Sequence, residues 1–304
     1  MTKEYLRIVY VGTPEFAVAS LKALVEGGYN VVAVVTMPDK PAGRGHQLQF
    51  SDVKKYALEA GLPVLQPEKL KDEAFIEELR SYHADLQIVV AFRMLPEVVW
   101  AMPRLGTFNL HTSLLPQYRG AAPINWAVMN GDKETGATTF MLKHEIDTGN
   151  IILQERIPIG EDENVGSVHD RLMETGTDLV TRTVDLIIDC GNKGIEIPTV
   201  PQPEIAELRP APKIFKEDCE IKFNEKTAAE VHNFVRGLSP YPAAWANLTI
   251  NGQRFENVKI YKVEVSDKGA LTVPCKEGAV SILELQVPGK KRMDIRSFLN
   301  GIHN

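Results

Sequence analysis

Apolar and polar positions along the first ninety residues alternate between two periods. Leu6 to Val11 is a short β-branched apolar run, and the stretch from Glu15 to Gly28 then spaces its apolar residues three and four apart, as one face of a helix requires. This predicts a strand, a tight turn and a helix. Thr13 reads as the cap, Pro14 as the first helical residue, where its missing N–H costs nothing, and Gly27-Gly28 as the stop. A second buried strand over Val31 to Thr36 completes a βαβ unit and makes the sheet parallel. The pattern repeats as a helix over Ser51 to Ala60, a strand at Pro63-Val64-Leu65, a helix over Lys71 to Tyr82 and a strand over Leu86 to Ala91. Such alternation predicts an α/β domain on a doubly wound, mostly parallel sheet. Gly12-Thr13-Pro14 lacks the GxGxxG spacing, so no dinucleotide site is expected at the first turn.

After residue 190 the pattern changes. Pro198, Pro201, Pro203, Pro210 and Pro212 fall in a stretch without a periodic apolar face, which predicts an extended linker. Ala228 to Leu238 then reads as a helix ended by Ser239-Pro240. From Ala244 onward short alternating runs are separated by turns at Asn251-Gly252, Asp267-Lys268-Gly269 and Pro288-Gly289. These features predict a C-terminal OB-like β-barrel. The expected organisation is therefore a catalytic domain over 1–189, a linker over 190–212 and an OB-like domain over 213–304.

Composition narrows the function classes. With 304 residues and 44% apolar residues the chain can build two cores, and no apolar run approaches the ~18 residues that span a bilayer. The opening MTKEYLRIVYVG lacks a small-residue cleavage site and reads as a first strand, not a signal peptide. Cys190, Cys219 and Cys275 are far apart and show no CxxC spacing, so neither a disulfide framework nor a structural metal is expected, and the setting is a reducing cytoplasm. The net charge of −6 is uneven: residues 1–208 hold 19 Lys and Arg against 29 Asp and Glu, whereas 209–304 hold 15 against 11. The excess of base in the second half, with the cluster Lys290-Lys291-Arg292, suggests a polyanionic partner there.

The chemistry-bearing stretch is Phe108 to Trp126. Asn109 and His111 stand two apart at the end of an apolar strand, so on an extended backbone they project to one side, where open α/β sheets bind their ligands. The following Leu114-Leu115-Pro116 and Tyr118-Arg119-Gly120 have the character of a binding loop. Asp147, in a turn that Gly149 permits, can reach back and orient the histidine. His144, Glu145 and Asp147 do not fit the helical HExxH spacing of a metal site.

Asn-x-His, then Ser-Leu-Leu-Pro-x-Tyr-Arg-Gly over Ser113 to Gly120, then Asp-x-Gly at Asp147 and Gly149, together resemble the signature of the folate-dependent formyltransferases. GTPEF, PDKPAGRG at Pro38 to Gly45, APKI at Ala211 to Ile214, SPYPAAW at Ser239 to Trp245 and PGKK at Pro288 to Lys291 extend the likeness over nearly the whole chain. Two stretches depart from it: Ala91-Phe92-Arg93-Met94-Leu95-Pro96 stands where members acting on tRNA usually show Ala-Tyr-Gly, and His46-Gln47 follows PAGRG in place of basic residues. The resemblance implies transfer of a formyl group from 10-formyltetrahydrofolate, a co-substrate, to the α-amine of a methionyl initiator tRNA by a monomeric enzyme with no metal and no membrane partner. Asn109, His111 and Asp147 are the implied catalytic residues; Phe92, Arg93, Met94, Ser113, Leu114, Leu115 and Pro116 the implied folate site; Arg44, Lys290, Lys291 and Arg292 the implied tRNA contacts. A formyltransferase acting on an amino sugar nucleotide and a non-catalytic tRNA-binding module are the alternatives.

Overall fold

The computed structural model of the chain describes residues 1–42 and 47–302, which group into two compact units. The first gathers Met1–Arg119, Gly136–Arg156 and Arg171–Arg209; the second gathers Gly120–Thr135, Ile157–Asp170 and Pro210–Asn304. The units thus cut across simple chain order.

In the first unit the elements follow as β1 (Ile8–Gly12), α1 (Glu15–Glu26), β2 (Val31–Val35), β3 (Lys40–Ala42), β4 (Gln47–Gln49), α2 (Asp52–Glu59), β5 (Val64–Leu65), α3 (Glu73–Ser81), β6 (Leu86–Val90), α4 (Glu97–Trp100) and β7 (Thr107–His111). After α5 (Pro123–Met129), which belongs to the second unit, come β8 (Glu134–Met141), β9 (Ile151–Pro158) and the long α6 (Val165–Lys193). The main sheet has the order β5-β2-β1-β6-β7-β8-β9. Its first five strands run parallel, and β8 lies antiparallel to β7. The strand order reverses between β1 and β6, so the ligand crevice of an open α/β sheet is expected at their carboxyl ends, with β7 next in line. β1 and β6 are buried along their whole length, as strands covered on both faces must be. One face packs Val9, Val11, Val35 and Val89 against Phe75, Leu79 and Val99 of α3 and α4.

The first turn differs from its sequence reading. Pro14 is the N-cap of α1, with φ −81° and ψ 173°, and no side chain caps the helix. An extended ψ is incompatible with a first helical turn, so the helix begins at Glu15, and the buried Thr13 hydroxyl has no partner among the described residues. Ser51 does cap α2, accepting from the Lys54 amide at 3.0 Å. α6 continues to Lys193, past the expected start of the linker at residue 190, and no regular element follows it before residue 217.

In the second unit α7 (Ala228–Leu238) opens with a capping box between Thr227 and Glu230. Strands β10 (Ala244–Ile250), β11 (Gln253–Val265), β12 (Thr272–Pro274), β13 (Ala279–Gln286) and β14 (Met293–Asp294) are followed by α8 (Ile295–Ile302). The sheet has the order β10-β11-β13-β12, with β14 on β13, and all its pairings are antiparallel. Asn251 and Gly252 join β10 to β11 with both φ values positive, the two-residue turn expected from the Asn-Gly pair. The alternating inward residues of β10, Ala246, Leu248 and Ile250, meet Val231, Val235 and Leu238 of α7 in one core. The result is a curled antiparallel half-barrel, the OB-like architecture expected for this part of the chain.

Candidate active site

β7 delivers the two polar residues. His111, at the last position of the strand, is only 7% exposed, and its Nε2 lies 2.8 Å from the backbone oxygen of Tyr118. A carbonyl can only accept, so Nε2 carries the hydrogen and Nδ1 is the nitrogen turned to Asp147. The distance from Nδ1 to Asp147 Oδ2 is 3.8 Å, an ion-pair distance too long for a direct hydrogen bond. Asn109, two residues before the histidine, is half-buried; its Oδ1 is buried, and no described group hydrogen-bonds to it. An amide oxygen held out of water without a partner costs about 1–3 kcal/mol, which a bound donor recovers.

The backbone around this pair is held unusually firmly. Ser113 is fully buried and its hydroxyl donates to the Gln117 carbonyl at 2.7 Å, while Thr138 Oγ1 donates to the Ser113 carbonyl at 2.7 Å. Tyr118 has φ +57° and Asp147 has φ +54°, conformations that side chains rarely adopt and that concentrate at functional sites. Gly149 is forced by space: a Cβ there would lie 1.6 Å from the Met141 carbonyl oxygen. Asp147, 9% exposed, is thereby turned back toward His111. The structure thus sets Asp147 against His111, and Asn109 stands two residues before that histidine on the same strand.

Residues 6–184 match the family model described as formyl transferase, and residues 213–303 match the one described as formyl transferase, C-terminal domain. The chain belongs to the formyl transferase family. A methionyl-tRNA formyltransferase of Bacteroides fragilis is 60% identical to it over 320 residues, spanning 100% of this chain and 97% of that protein. One of Porphyromonas gingivalis is 52% identical over 316 residues, spanning 99% and 97%. Among solved structures, HypX from Aquifex aeolicus in complex with tetrahydrofolic acid has the same fold, with a TM-score of 0.63 at 17% identity, covering 97% of this chain and 47% of that one.

The residues that the formyltransferase likeness assigned to the folate site fall into two kinds. Ala91, at the end of β6, has φ +51°, and beyond it Phe92 packs partly into the core below. Arg93 donates from its two terminal nitrogens to the carbonyls of Glu68, at 2.9 Å, and Pro67, while its buried Nε has no partner among the described residues. Met94 is 69% exposed and lines a shallow cleft of about 480 Å³ with Leu70, Lys71, Leu95, Glu97 and Val98. Ser113 and Leu115 are buried, Pro116 likewise, and Leu114 is half-buried, so the Ser113 and Leu115 side chains shape the loop from within.

The basic residues also divide. Arg44 lies outside the described residues. Lys290 and Lys291 are exposed, but Arg292 donates to Glu284 Oε2 at 2.7 Å and stacks 4.3 Å from the Tyr261 ring centroid. His144, which the sequence sets beside Glu145 and Asp147, pairs with Glu97 at 3.4 Å and meets Trp100 edge-on. Sequence reasoning missed Gln202 and Arg209, which sit in the expected linker: Gln202 donates to the Asp147 carbonyl, and the Arg209 carbonyl accepts from the Tyr118 amide. Nothing but the Pro-Gln-Pro context marked the first of them.

Proposed function

We propose that this chain transfers a formyl group from 10-formyltetrahydrofolate to the α-amine of methionyl initiator tRNA, giving N-formylmethionyl-tRNA for translation initiation. The observation that carries the chemistry is the His111–Asp147 pair, with Asn109 two residues before the histidine on the same strand and its buried Oδ1 without a partner among the described residues. The folate co-substrate supplies an already activated formyl group. Asn109 donates through its amide nitrogen to the formyl oxygen as negative charge develops, and its Oδ1 accepts from the attacking amine. A proton on Nδ1 makes His111 a cation whose other N–H is satisfied by Tyr118, and Asp147 holds that charge in place. A nitrogen and a carboxylate oxygen 3.8 Å apart can both touch one atom at hydrogen-bond distance. The reacting amine or the formyl oxygen fits between them, so Asp147 also takes the amine's proton, directly or through water. As the tetrahedral species collapses, the bond between the formyl carbon and the folate nitrogen breaks, and that nitrogen gains a proton and leaves as tetrahydrofolate. The folate lies against Phe92, Arg93 and Met94 and the loop from Ser113 to Pro116, with exposed Met94 and half-buried Phe92 offering apolar surface.

The acceptor is assigned from end-to-end identity of 52–60% to proteins named methionyl-tRNA formyltransferase. Residues 1–189 supply the reacting groups, 190–212 join the two parts of the chain, and 213–304 hold the RNA, with Arg44, Lys290, Lys291 and Arg292 among its contacts. The enzyme works in the cytoplasm as a monomer; among the described residues no helix is long and apolar enough to cross a membrane. Purified protein supplied with 10-formyltetrahydrofolate and either charged initiator tRNA or an amino sugar nucleotide tests the reading. Formylation of the tRNA alone is expected. Formylation of the sugar instead, or of neither, overturns it.

A further inference from the structure

Residues 201–210 are all exposed except Gln202, and both ends of its amide are used. Nε2 donates to the Asp147 carbonyl at 2.7 Å and to the Gly149 carbonyl at 2.9 Å. Oε1 accepts from Arg119 Nε at 3.2 Å and Nη2 at 2.7 Å, and the same Arg119 Nε reaches the Asp147 carbonyl at 3.1 Å. Val200 and Ile151 exchange both backbone hydrogen bonds at 2.8 Å, which pins Gln202 in register beside the turn. Seven residues on, the segment grips the other side of the pair. The Arg209 carbonyl accepts from the Tyr118 amide at 2.7 Å, and Arg209 Nη1 donates to the Tyr118 hydroxyl at 2.9 Å. Gln117 Oε1 accepts from the Arg209 amide at 2.8 Å. The Tyr118 carbonyl is the acceptor for His111 Nε2.

We propose that Gln202 is a positioning residue for formyl transfer: its amide clasps the Asp147–Gly149 turn and keeps the carboxylate facing His111. The segment after α6 is then a part of the catalytic apparatus and not a spacer. The physical reason is that Asp147 sits at φ +54°, a backbone state that relaxes unless something over-determines it. An amide NH2 group has two hydrogens, and here each has one carbonyl of the turn to bind. A misplacement of about 1 Å in a catalytic group lowers rates on the order of a hundredfold, so a clasp on the backbone acts on turnover without touching substrate. The proposal rests on the formyl-transfer reading.

The test uses full-length Gln202→Ala and Gln202→Glu proteins. Glutamate keeps an oxygen for Arg119 but sets a carboxylate against two carbonyl oxygens, so it separates the clasp on the turn from the anchoring of Arg119. Both variants are expected to lower kcat for methionyl-tRNA at least tenfold (about 1.4 kcal/mol), with KM values for folate and tRNA within about threefold of the parent. The 15N resonances of the His111 ring, recorded without substrate, are expected to move in both. Glutamate restoring wild-type kcat, rates within about twofold of the parent in both variants, unmoved ring resonances, or unfolding of both proteins at the assay temperature would each overturn the proposal. If the parent protein itself formylates nothing, the functional reading fails instead, and the resonances still decide whether Gln202 governs the His111 environment.

Discussion

The surroundings of His111 and the basic cluster at Lys290 to Arg292 use polar side chains in opposite ways. Around His111 the side chains of Ser113, Thr138, Arg119 and Gln202 all bond to backbone carbonyls, and two residues are held at positive φ. In the half-barrel, Lys290 and Lys291 stand in solvent, and Arg292 spends its guanidinium on Glu284 and Tyr261. A group that must meet developing charge needs its position fixed beforehand, because the transition state does not wait for reorganisation. A group that attracts a polyanion needs only charge near the surface, and salt screens it. Substitutions should therefore be costly and specific in the first region, and mild and salt-dependent in the second.

The largest effects are expected at the reacting groups. Asn109→Ala and Asp147→Asn should each lower kcat at least about a hundredfold while circular dichroism stays that of the parent, since on the proposed mechanism each removes a group that acts on the transition state. Near-parental turnover in either variant would break the comparison at its stronger end. Next come two glycines that separate space from strain. Gly149→Ala drives a Cβ into the Met141 carbonyl and should cost about 3 kcal/mol or more in urea unfolding. Gly289, at φ +78° with no heavy atom near its missing Cβ, should cost only about 1 kcal/mol. Equal losses would mean that the turn at Asp147 is no tighter than a surface hairpin.

Smaller effects sharpen the other side. Replacing Lys290 and Lys291 together by alanine should flatten the salt dependence of tRNA binding by between about one and two units of slope, whereas Arg292→Ala should change it by less than about half a unit. A larger effect at Arg292 would show that RNA pulls it away from Glu284. The smallest effect concerns His232 on α7, which pairs with Asp162 at 3.0 Å. Burial, and then the neighbouring Arg236 charge, hold its pKa below the usual histidine value. The unfolded chain therefore binds a proton that the folded chain resists. Stability from this site is complete above about pH 6.5 and falls as pH drops below it toward the folded pKa. Thermal unfolding between pH 7 and 5 should show a shallower decline in His232→Gln than in the parent. An identical decline would remove the histidine from the account.

How much of this was legible in the sequence depends on what each residue bonds to. Side-chain periodicity and local caps leave a direct trace: α2 begins after Ser51, α7 ends before Ser239, and Asn251-Gly252 makes the turn it predicts. The approach of Asp147 to His111 leaves a trace too, in a motif and in strand spacing. Bonds to backbone carbonyls leave no trace, because every residue has one. The clasp of Gln202 on Asp147 and Gly149 was invisible for that reason, and a proline-rich stretch looked like a plain linker. Arg292 looked available because its pairing with Glu284 follows from the β13–β14 register, which sets Glu284 opposite Asp294. Pro14 was misplaced by one residue because a proline is equally at home as a cap with extended ψ and as the first helical residue.

The central claim is that His111, set by Tyr118 on one side and Asp147 on the other, stabilises the transition state of formyl transfer. The measurement that tests it most directly is the single-turnover rate of formyl transfer to methionyl-tRNA by His111→Ala, alongside its folate affinity. A rate at least about a hundredfold below the parent with folate binding nearly unchanged is the expected result. A folded variant that transfers formyl at close to the parental rate, or one whose whole loss is explained by weaker folate binding, would contradict the account.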